Sequence, residues 1–305
     1  MGAITMPANM VNRSAILAVV FDCDDTLAPD TTTQLLKTRG FDKEHLEQFW
    51  KQDIAAMVKQ EWDPSLAIMT RLAQMANQDG PLRGLSKTDI QQVGRDLSVY
   101  PGVSGMFPEI KAMIEGDEQF ASFGVMVEYY IISGGIEELI RSHQIAAYMK
   151  DVWACSFEYE ATGKIRCAKR VVTFTEKTRF LFNIQKGFIG SKYRSQPYAV
   201  NAKTPPEEVR VPFENMVYIG DGPSDIPCMS LLERNGGHVV GILRDENPYL
   251  TYASNYGRRA QITIPADYRE GQIGRLHLNN VLKQAAKRII RRIEFAQGQS
   301  PIPGY

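Results

Sequence analysis

Four short apolar runs along the chain have the length and composition of buried β-strands. They cover residues 15–21, 124–132, 216–220 and 238–243, and segments with helical spacing separate them. A continuous apolar run of this length is typical of a strand buried on both faces of a parallel sheet. The pattern therefore predicts an α/β fold, with a mostly parallel sheet and helices on both of its faces.

The stretch from residue 31 to residue 92 has a different pattern. Apolar residues recur there at three- and four-residue steps, as in Leu46, Phe49, Trp50 and Ile54, and no strand pattern interrupts them. This spacing is typical of amphipathic helices. It predicts an all-helical insertion at residues 30–97, placed in a core made of residues 1–29 and 98–305.

Two later segments have patterns of their own. Residues 193–213 contain four prolines and predict a long loop with little regular structure. Residues 274–295 predict one amphipathic helix with a basic outer face. That face is either a solvated surface or a contact for an anionic partner, and the pattern leaves both interpretations open.

Composition and charge narrow the class of protein. Lys+Arg and Asp+Glu both number 35, so the formal net charge is zero and nothing in the overall charge indicates nucleic acid or a membrane surface. The four cysteines form no Cys-x-x-Cys pair, which favours reduced thiols over a zinc site. Residues 1–13 lack the pattern of a signal peptide, so we expect a cytoplasmic protein with no membrane span.

Acidic residues follow the first apolar run directly. Asp22 is the first residue beyond that run, and Asp24 lies two positions later. A carboxylate at Asp22 can attack phosphorus, and a carboxylate at Asp24 can protonate a leaving oxygen and then activate water. Residues that follow strand ends converge at one edge of a parallel sheet. The alternative is a polar turn, in which three neighbouring acids would repel one another unless a cation compensates.

Two other strand ends carry matching groups. Ser133-Gly134-Gly135 follows the second run and precedes a helical pattern, an arrangement that can cradle a phosphate or simply cap a helix. Asp221 and Asp225 follow the third run, four residues apart around a tight turn. Mg²⁺ prefers a few carboxylate oxygens together with water and phosphate, although a capped loop would give the same pattern. Lys177 is the best candidate for a cation that offsets phosphate charge.

These residues, taken in order, resemble the motifs of the haloacid dehalogenase superfamily of phosphohydrolases. Asp22, Asp24 and Thr26 match its Asp-x-Asp-x-Thr motif, Ser133 matches its second motif, and Lys177 its basic third motif. Its fourth motif is matched by Gly220, Asp221, Gly222 and Asp225. The resemblance implies a three-layer Rossmann-like core, with the insertion at residues 30–97 as an α-helical cap domain, and hydrolysis of a small phosphorylated metabolite.

The resemblance also implies a role for each residue. Asp22 would be the nucleophile and a magnesium ligand, and Asp24 the general acid/base, with its backbone carbonyl on the metal. Ser133, Gly134 and Lys177 would hold the phosphoryl group. Asp221 would ligate Mg²⁺, and Asp225 would support the metal or Lys177. Dehalogenase members lack the second aspartate, so Asp24 favours phosphate over halide chemistry.

Within the superfamily the chain looks most like the phosphoserine phosphatase branch. That branch commonly has a glutamate nine residues after the nucleophile, where this chain has Thr31, so the substrate stays open. Arg71 can be interpreted as a carboxylate-binding residue or as an ordinary helix-surface arginine. Two other functions share the same motifs: a phosphotransferase with the same intermediate, and a binding protein that has lost activity.

Overall fold

The computed structural model describes residues 14–243, 260–296 and 298. The sequence pattern at residues 1–13 therefore lies outside the described residues. A seven-stranded sheet has the order β4-β3-β2-β1-β5-β6-β7. The strands are β1 Ile16–Phe21, β2 Met126–Ile136, β3 Met149–Tyr159, β4 Ile165–Arg170, β5 Met216–Gly220, β6 His238–Leu243 and β7 Ile262–Pro265.

The four predicted strands are β1, β2, β5 and β6, and they lie side by side in parallel. β3 and β7 extend the parallel sheet, and β4 pairs antiparallel with β3 at the edge. The helices are α1 Thr31–Thr38, α2 Lys43–Glu47, α3 Ala55–Lys59, α4 Pro64–Ala76, α5 Lys87–Arg95, α6 Val103–Glu115, α7 Glu118–Ser122, α8 Glu137–Ser142, α9 Phe174–Lys186, α10 Ile226–Arg234 and α11 Ile273–Ala296.

Alternation along β1 divides the core into two layers. Leu17 and Val19 belong to a cluster that contains α6 and α11, whereas Ala18 and Val20 belong to a cluster that contains α9 and α10. Successive strand residues point to opposite faces, so each face of the sheet buries its own helices. The prediction of a three-layer α/β core is confirmed.

The insertion between β1 and β2 is helical, as predicted, and includes a π-helical stretch at Gln48–Ile54. It is attached to the β3–β4 hairpin by backbone hydrogen bonds. The N–H of Lys87 donates to the carbonyl of Gly163 at 2.9 Å, and the N–H of Ile165 donates to the carbonyl of Leu85 at 3.2 Å. The insertion therefore contacts the hairpin as well as the strands that precede and follow it.

The C-terminal helix α11 buries the apolar face predicted for residues 274–295 against the sheet. Two of its basic residues bind the protein itself: Arg288 donates to the carbonyl of Gly236 at 2.9 Å, and Arg292 donates to Glu214 at 2.7 Å. The predicted loop at residues 193–213 contains only short 3₁₀ turns. Within the described ranges, none of the helices has both the length and the hydropathy that crossing a bilayer requires.

Candidate active site

The carboxyl ends of β1, β2 and β5 bring together the residues that the sequence analysis singled out. β1 lies between β2 and β5. Asp22 continues the β1 ladder for one residue, because its N–H donates to the carbonyl of Ile219 at 2.9 Å. The Asp22 side chain is only 6% exposed. A carboxylate at this position is held by the sheet and shielded from bulk water.

A tight turn follows Asp22. The carbonyl of Cys23 accepts hydrogen bonds from the N–H groups of Thr26, Leu27 and Ala28, at 3.2, 2.8 and 3.1 Å. Asp25 adopts a positive φ of 55°, which is uncommon for a residue with a side chain. The Cys23 side chain points into the core cluster on the α6 and α11 face. The Cys23 side chain therefore points away from the side chains of Asp22 and Asp24, as the two-residue period of an extended segment predicts.

The Asp24 carboxylate is held by groups from two different elements. One oxygen accepts from the N–H of Thr31 at 2.7 Å, and the other accepts from the Ser133 hydroxyl at 3.3 Å. Gly135 lies against this pair: a Cβ there would come within 2.5 Å of the Asp24 carboxylate. A larger residue at position 135 would displace Asp24, so the Ser-Gly-Gly sequence is required for this close approach.

Ser133 and Gly134 lie at the end of β2, and α8 begins at Glu137. The Ser133 hydroxyl is buried and accepts from the N–H of Gly135 at 2.9 Å. The strand continues to Ile136, four residues beyond the predicted apolar run. Ser65, from α4 of the insertion, lies 3.6 Å from the position that a Gly134 Cβ would occupy. The insertion thus reaches the segment predicted to bind phosphate.

Lys177 enters the same space from the first turns of α9. Its ammonium lies 3.0 Å from the Asp22 carboxylate and 2.7 Å from Asp225, and donates to the Ser224 hydroxyl at 3.1 Å. The side chain is 1% exposed, and a buried lysine without charged partners would be strongly disfavoured. The carboxylates of Asp22, after β1, and Asp225, after β5, therefore stabilise the buried position of Lys177.

Asp221 and Asp225 flank the turn after β5. One carboxylate oxygen of Asp225 accepts from the N–H of Gly222 at 3.1 Å, which closes the turn. A Cβ at Gly220 would come within 2.5 Å of that carboxylate, so glycine is needed there. One oxygen each from Asp22, Asp221 and Asp225 lies within 4.8 Å of the others. We call Asp22, Asp221, Asp225 and Lys177 the aspartate–lysine cluster.

Burial dominates the electrostatics of this cluster. Burial, followed by the nearby charge of Asp225, raises the pKa of Asp22 well above its usual range, and Lys177 only partly opposes this. For Lys177, burial alone would lower the pKa, but Asp22 and Asp225 raise it above its ordinary value. Lys177 therefore stays protonated and pairs with two carboxylates, Asp22 and Asp225.

The surplus negative charge fits a divalent cation. Three carboxylate oxygens close together are the donor set that Mg²⁺ prefers, and a cation would relieve the repulsion that raises the pKa of Asp22. Asp22, Asp221 and Asp225 are the residues that would hold such an ion. The side chain of Asp24 faces Ser133 and Thr31 instead, so only its backbone is available for that purpose.

The structure brings the predicted catalytic, phosphate-binding and metal-binding residues to one edge of the sheet. The two positions considered for substrate recognition, Arg71 and Thr31, have other partners. Arg71 donates to Asp53 at 2.8 Å, and both belong to the helical insertion. Thr31 contributes its backbone to Asp24. The sequence analysis missed Ser224 and Tyr218, which bind Lys177 and Asp225. Tyr218 stands within an apolar strand, where only a structure can show what its hydroxyl contacts.

Comparisons with solved structures agree with this architecture. A HAD family hydrolase from Salmonella enterica serovar Typhi has a TM-score of 0.51 and 16% identity, over 83% of this chain and 68% of that one. A probable phosphoserine phosphatase from Vibrio cholerae has a TM-score of 0.50 and 15% identity, over 96% and 69%. At these identities the likeness concerns the fold alone.

Sequence comparisons identify the family. An uncharacterized protein of Borreliella burgdorferi is 27% identical over 249 residues, which cover 73% of this chain and 80% of that protein. The family model described as haloacid dehalogenase-like hydrolase matches residues 19–230, a range that includes every residue of the aspartate–lysine cluster. The predicted resemblance is confirmed: the chain belongs to the haloacid dehalogenase-like hydrolase family.

Proposed function

We propose that this hydrolase is a magnesium-dependent phosphatase that cleaves a small phosphorylated metabolite through an aspartyl-phosphate on Asp22. The observation that carries the proposal is the position of Asp22. Its buried carboxylate lies 3.0 Å from the Lys177 ammonium, two residues before an Asp24 that is hydrogen-bonded to Ser133. A nucleophile, a proton donor and a cation for the phosphoryl oxygens therefore lie at one edge of the sheet.

In the first step an oxygen of Asp22 attacks phosphorus, and the bond from phosphorus to the ester oxygen breaks. Asp24 gives its proton to the departing alcohol oxygen. Ser133, the backbone of Gly134 and the ammonium of Lys177 hold the phosphoryl oxygens during the transfer. The buried position of Lys177 strengthens its interaction with these oxygens, because bulk water is excluded.

In the second step a water molecule attacks the phosphorus of the aspartyl-phosphate. Asp24, now ionised, accepts the proton of that water, and Asp22 is released together with inorganic phosphate. Magnesium, held by Asp22, Asp221, Asp225 and the backbone carbonyl of Asp24, would neutralise phosphoryl charge. The surplus of carboxylates over ammonium groups in the aspartate–lysine cluster supports this choice of cofactor.

We further propose that residues 30–97 act as a cap over the site. Two contacts support this division of the chain. The Ser65 hydroxyl donates to the carbonyl of Val172 at 3.1 Å, just before α9, and Ser65 also lies beside Gly134. A cap in this position would exclude water during the transfer and would supply groups that recognise the alcohol part of the substrate.

The proposed substrate is a phosphate monoester, and the alcohol part of that ester is left open. The resemblance to phosphoserine phosphatases concerns the fold, and Thr31 stands where that branch commonly has a glutamate. Arg71 is paired with Asp53, so its guanidinium is already neutralised by a partner in the insertion. Cytoplasmic location remains a prediction; the four cysteines of the chain are free, which is compatible with it.

The test is Asp22→Asn, assayed with an aryl phosphate in the presence of Mg²⁺. We expect release of phosphate to fall by at least about a thousandfold, because an amide cannot form the acyl-phosphate bond. Asp42→Asn is the matched control. Asp42 caps α2 through its side chain at the exposed surface of the insertion, and asparagine caps equally well. It should keep the wild-type rate.

Three outcomes are informative. Unchanged turnover in Asp22→Asn would remove Asp22 as the nucleophile. Equal turnover in EDTA and in Mg²⁺ would remove the cofactor from the proposal. Phosphate that appears on an added alcohol acceptor, with little free phosphate, would reassign the enzyme as a phosphotransferase with the same intermediate.

A further inference from the structure

Asp225 is also in contact with a tyrosine from the middle of β5. Tyr218 is fully buried, and its hydroxyl donates to Asp225 at 2.7 Å. The oxygen that accepts this hydrogen bond is the same one that accepts from the Lys177 ammonium, also at 2.7 Å. Two donors from different elements therefore converge on one carboxylate oxygen.

The second oxygen of Asp225 is engaged as well, since it accepts from the N–H of Gly222. The ring of Tyr218 also limits Gly220: a Cβ there would lie 3.1 Å from the ring edge. The carboxylate of Asp225 is thus held from three directions, by Tyr218, Lys177 and the turn that carries Asp221.

The hydroxyl of Tyr218 has two partners on the face of the sheet that packs against α9 and α10: the Asp225 carboxylate and the Cys228 thiol. A buried hydroxyl costs free energy unless it is hydrogen-bonded, and phenylalanine would fill nearly the same volume. A carboxylate is a much stronger acceptor than a thiol, so the contact with Asp225 is the one that favours a tyrosine at this position.

We propose that Tyr218 is a positioning residue for the phosphoryl transfer, acting through Asp225 on Lys177. The inference rests on the proposed function. By occupying one oxygen of Asp225, Tyr218 keeps that carboxylate turned toward the Lys177 ammonium. Lys177 is then held at 3.0 Å from Asp22, where the transferring group must lie. Without the hydroxyl, Asp225 can rotate and Lys177 can follow it away from Asp22.

The test is Tyr218→Phe, with Tyr129→Phe as the matched control. Tyr129 is a buried tyrosine of the adjacent region of the sheet, and its hydroxyl donates to the carbonyl of Phe107 at 2.8 Å, away from the aspartate–lysine cluster. We expect kcat of Tyr218→Phe to fall about tenfold with KM within about twofold, because one hydrogen bond to a charged group is lost. Tyr129→Phe should lose only thermal stability.

Two further measurements distinguish a loss of positioning of Asp225 and Lys177 from a general loss of packing. In an Asp225→Asn background, adding Tyr218→Phe should lower kcat no further, since Tyr218 acts through the carboxylate that has been removed. Binding of Mn²⁺ to the substrate-free protein, followed by the EPR signal of the free ion, should weaken by about tenfold in Tyr218→Phe and stay unchanged in Tyr129→Phe, because Tyr218 orients a carboxylate of the proposed cation site. This second measurement does not depend on turnover.

The possible outcomes distinguish the proposed role of Tyr218 from the proposed function of the enzyme. An active wild type with an equally active Tyr218→Phe variant would overturn the inference and leave the proposed function intact. So would equal losses of kcat in Tyr218→Phe and Tyr129→Phe, additive losses in the double variant, or a Mn²⁺ affinity of Tyr218→Phe equal to that of the wild type. A wild type that releases no phosphate from any ester would overturn the proposed function, and this inference with it.

Discussion

Two ionic clusters lie beside the same sheet, and they differ in how their charge is balanced. In the buried aspartate–lysine cluster, the Lys177 ammonium pairs with Asp22 and Asp225, and Asp221 adds a third carboxylate within 4.8 Å of theirs. The other, which we call the arginine cluster, has three guanidinium groups around two carboxylates and consists of Glu137, Asp151, Arg141, Arg170 and Arg194.

The carboxylates of the arginine cluster are saturated by the protein. Glu137 pairs with Arg141, Arg170 and Arg194. Asp151 uses one oxygen for Arg194 at 2.5 Å and the other for the N–H of Gly190 at 2.8 Å. These bonds attach the loop after α9 to β3 and α8. The arginine cluster is therefore a structural cross-link.

The comparison shows how the proposed binding site differs from a cross-link, although both consist of charged side chains beside the same sheet. A cross-link satisfies its carboxylates with guanidinium groups and backbone N–H groups from several elements. A site for a cation and a phosphate keeps more negative charge than its own ammonium can balance, and the raised pKa of Asp22, which burial and Asp225 cause, records this imbalance.

The largest expected effect is at Lys177. Lys177→Met leaves buried carboxylates without their cation, so we expect the free energy of unfolding to fall by about 3–5 kcal/mol. Phosphate release should fall by at least about a thousandfold, because the phosphoryl oxygens lose their positive partner. Urea denaturation in EDTA and a phosphate assay in Mg²⁺ measure the two effects. A variant that keeps wild-type turnover would show that this ammonium serves stability alone.

The matching change in the arginine cluster is Arg194→Met. Arg194 pairs with Glu137 and Asp151 and also donates to the carbonyl of Val152. Its loss should reduce the free energy of unfolding by about 1–3 kcal/mol, while kcat/KM stays within about threefold. The same urea and phosphate assays apply. Turnover that falls as steeply as in Lys177→Met would break the distinction between the two clusters.

A third prediction concerns the cation itself. Mg²⁺ at about one hundred times its Kd should stabilise the wild type by about 2.7 kcal/mol, which corresponds to a rise in Tm of about 5 °C. Asp221→Asn removes one of the three converging carboxylates, so its Tm should rise by less than half as much. Thermal unfolding with EDTA and with Mg²⁺ measures this. An equal rise in both proteins would place the cation elsewhere.

The strands that carry the site were predictable because they are continuous apolar runs, whereas the interior strand β3 was not predicted, because charged residues such as Lys150 and Asp151 interrupt its apolar positions. β1 and β5 are buried on both faces, and such strands are continuous apolar runs. β4 and β7 lie at the two edges of the sheet, where one side is open to solvent or loops. Their sequences, Ile165–Arg170 and Ile262–Pro265, are polar or short, so no apolar run identifies them.

Within the site, the residues on strand ends were predictable and their partners were not. Asp22, Ser133 and Asp221 follow apolar runs, and parallel strands bring such ends together. The bond from Tyr218 to Asp225 depends on how a side chain within a strand packs against the following turn. The arginine cluster draws its members from α8, β3, β4 and a loop, and their spacing in the sequence follows no motif.

The smallest expected effect is on the pH dependence of stability, at a histidine that follows α8. His143 follows α8, two residues after Arg141, and its ring accepts from the N–H of Ile145 at 3.3 Å. Burial lowers the pKa of His143 below its usual value of 6.5. The unfolded chain therefore binds a proton more readily than the folded protein. Stability is complete above about pH 6.5 and declines as the pH falls below that value.

His143→Asn should reduce this decline, because asparagine can accept the same hydrogen bond and takes up no proton. We expect the variant to match the wild type at pH 7.5 and to lose less stability at pH 5.5, by up to about 1 kcal/mol. Urea denaturation at both values measures the difference. The raised pKa of Asp22 acts in the opposite direction, because the folded protein binds that proton more readily than the unfolded chain. Identical slopes in the two proteins would therefore mean that neither His143 nor Asp22 limits the stability of the fold in acid.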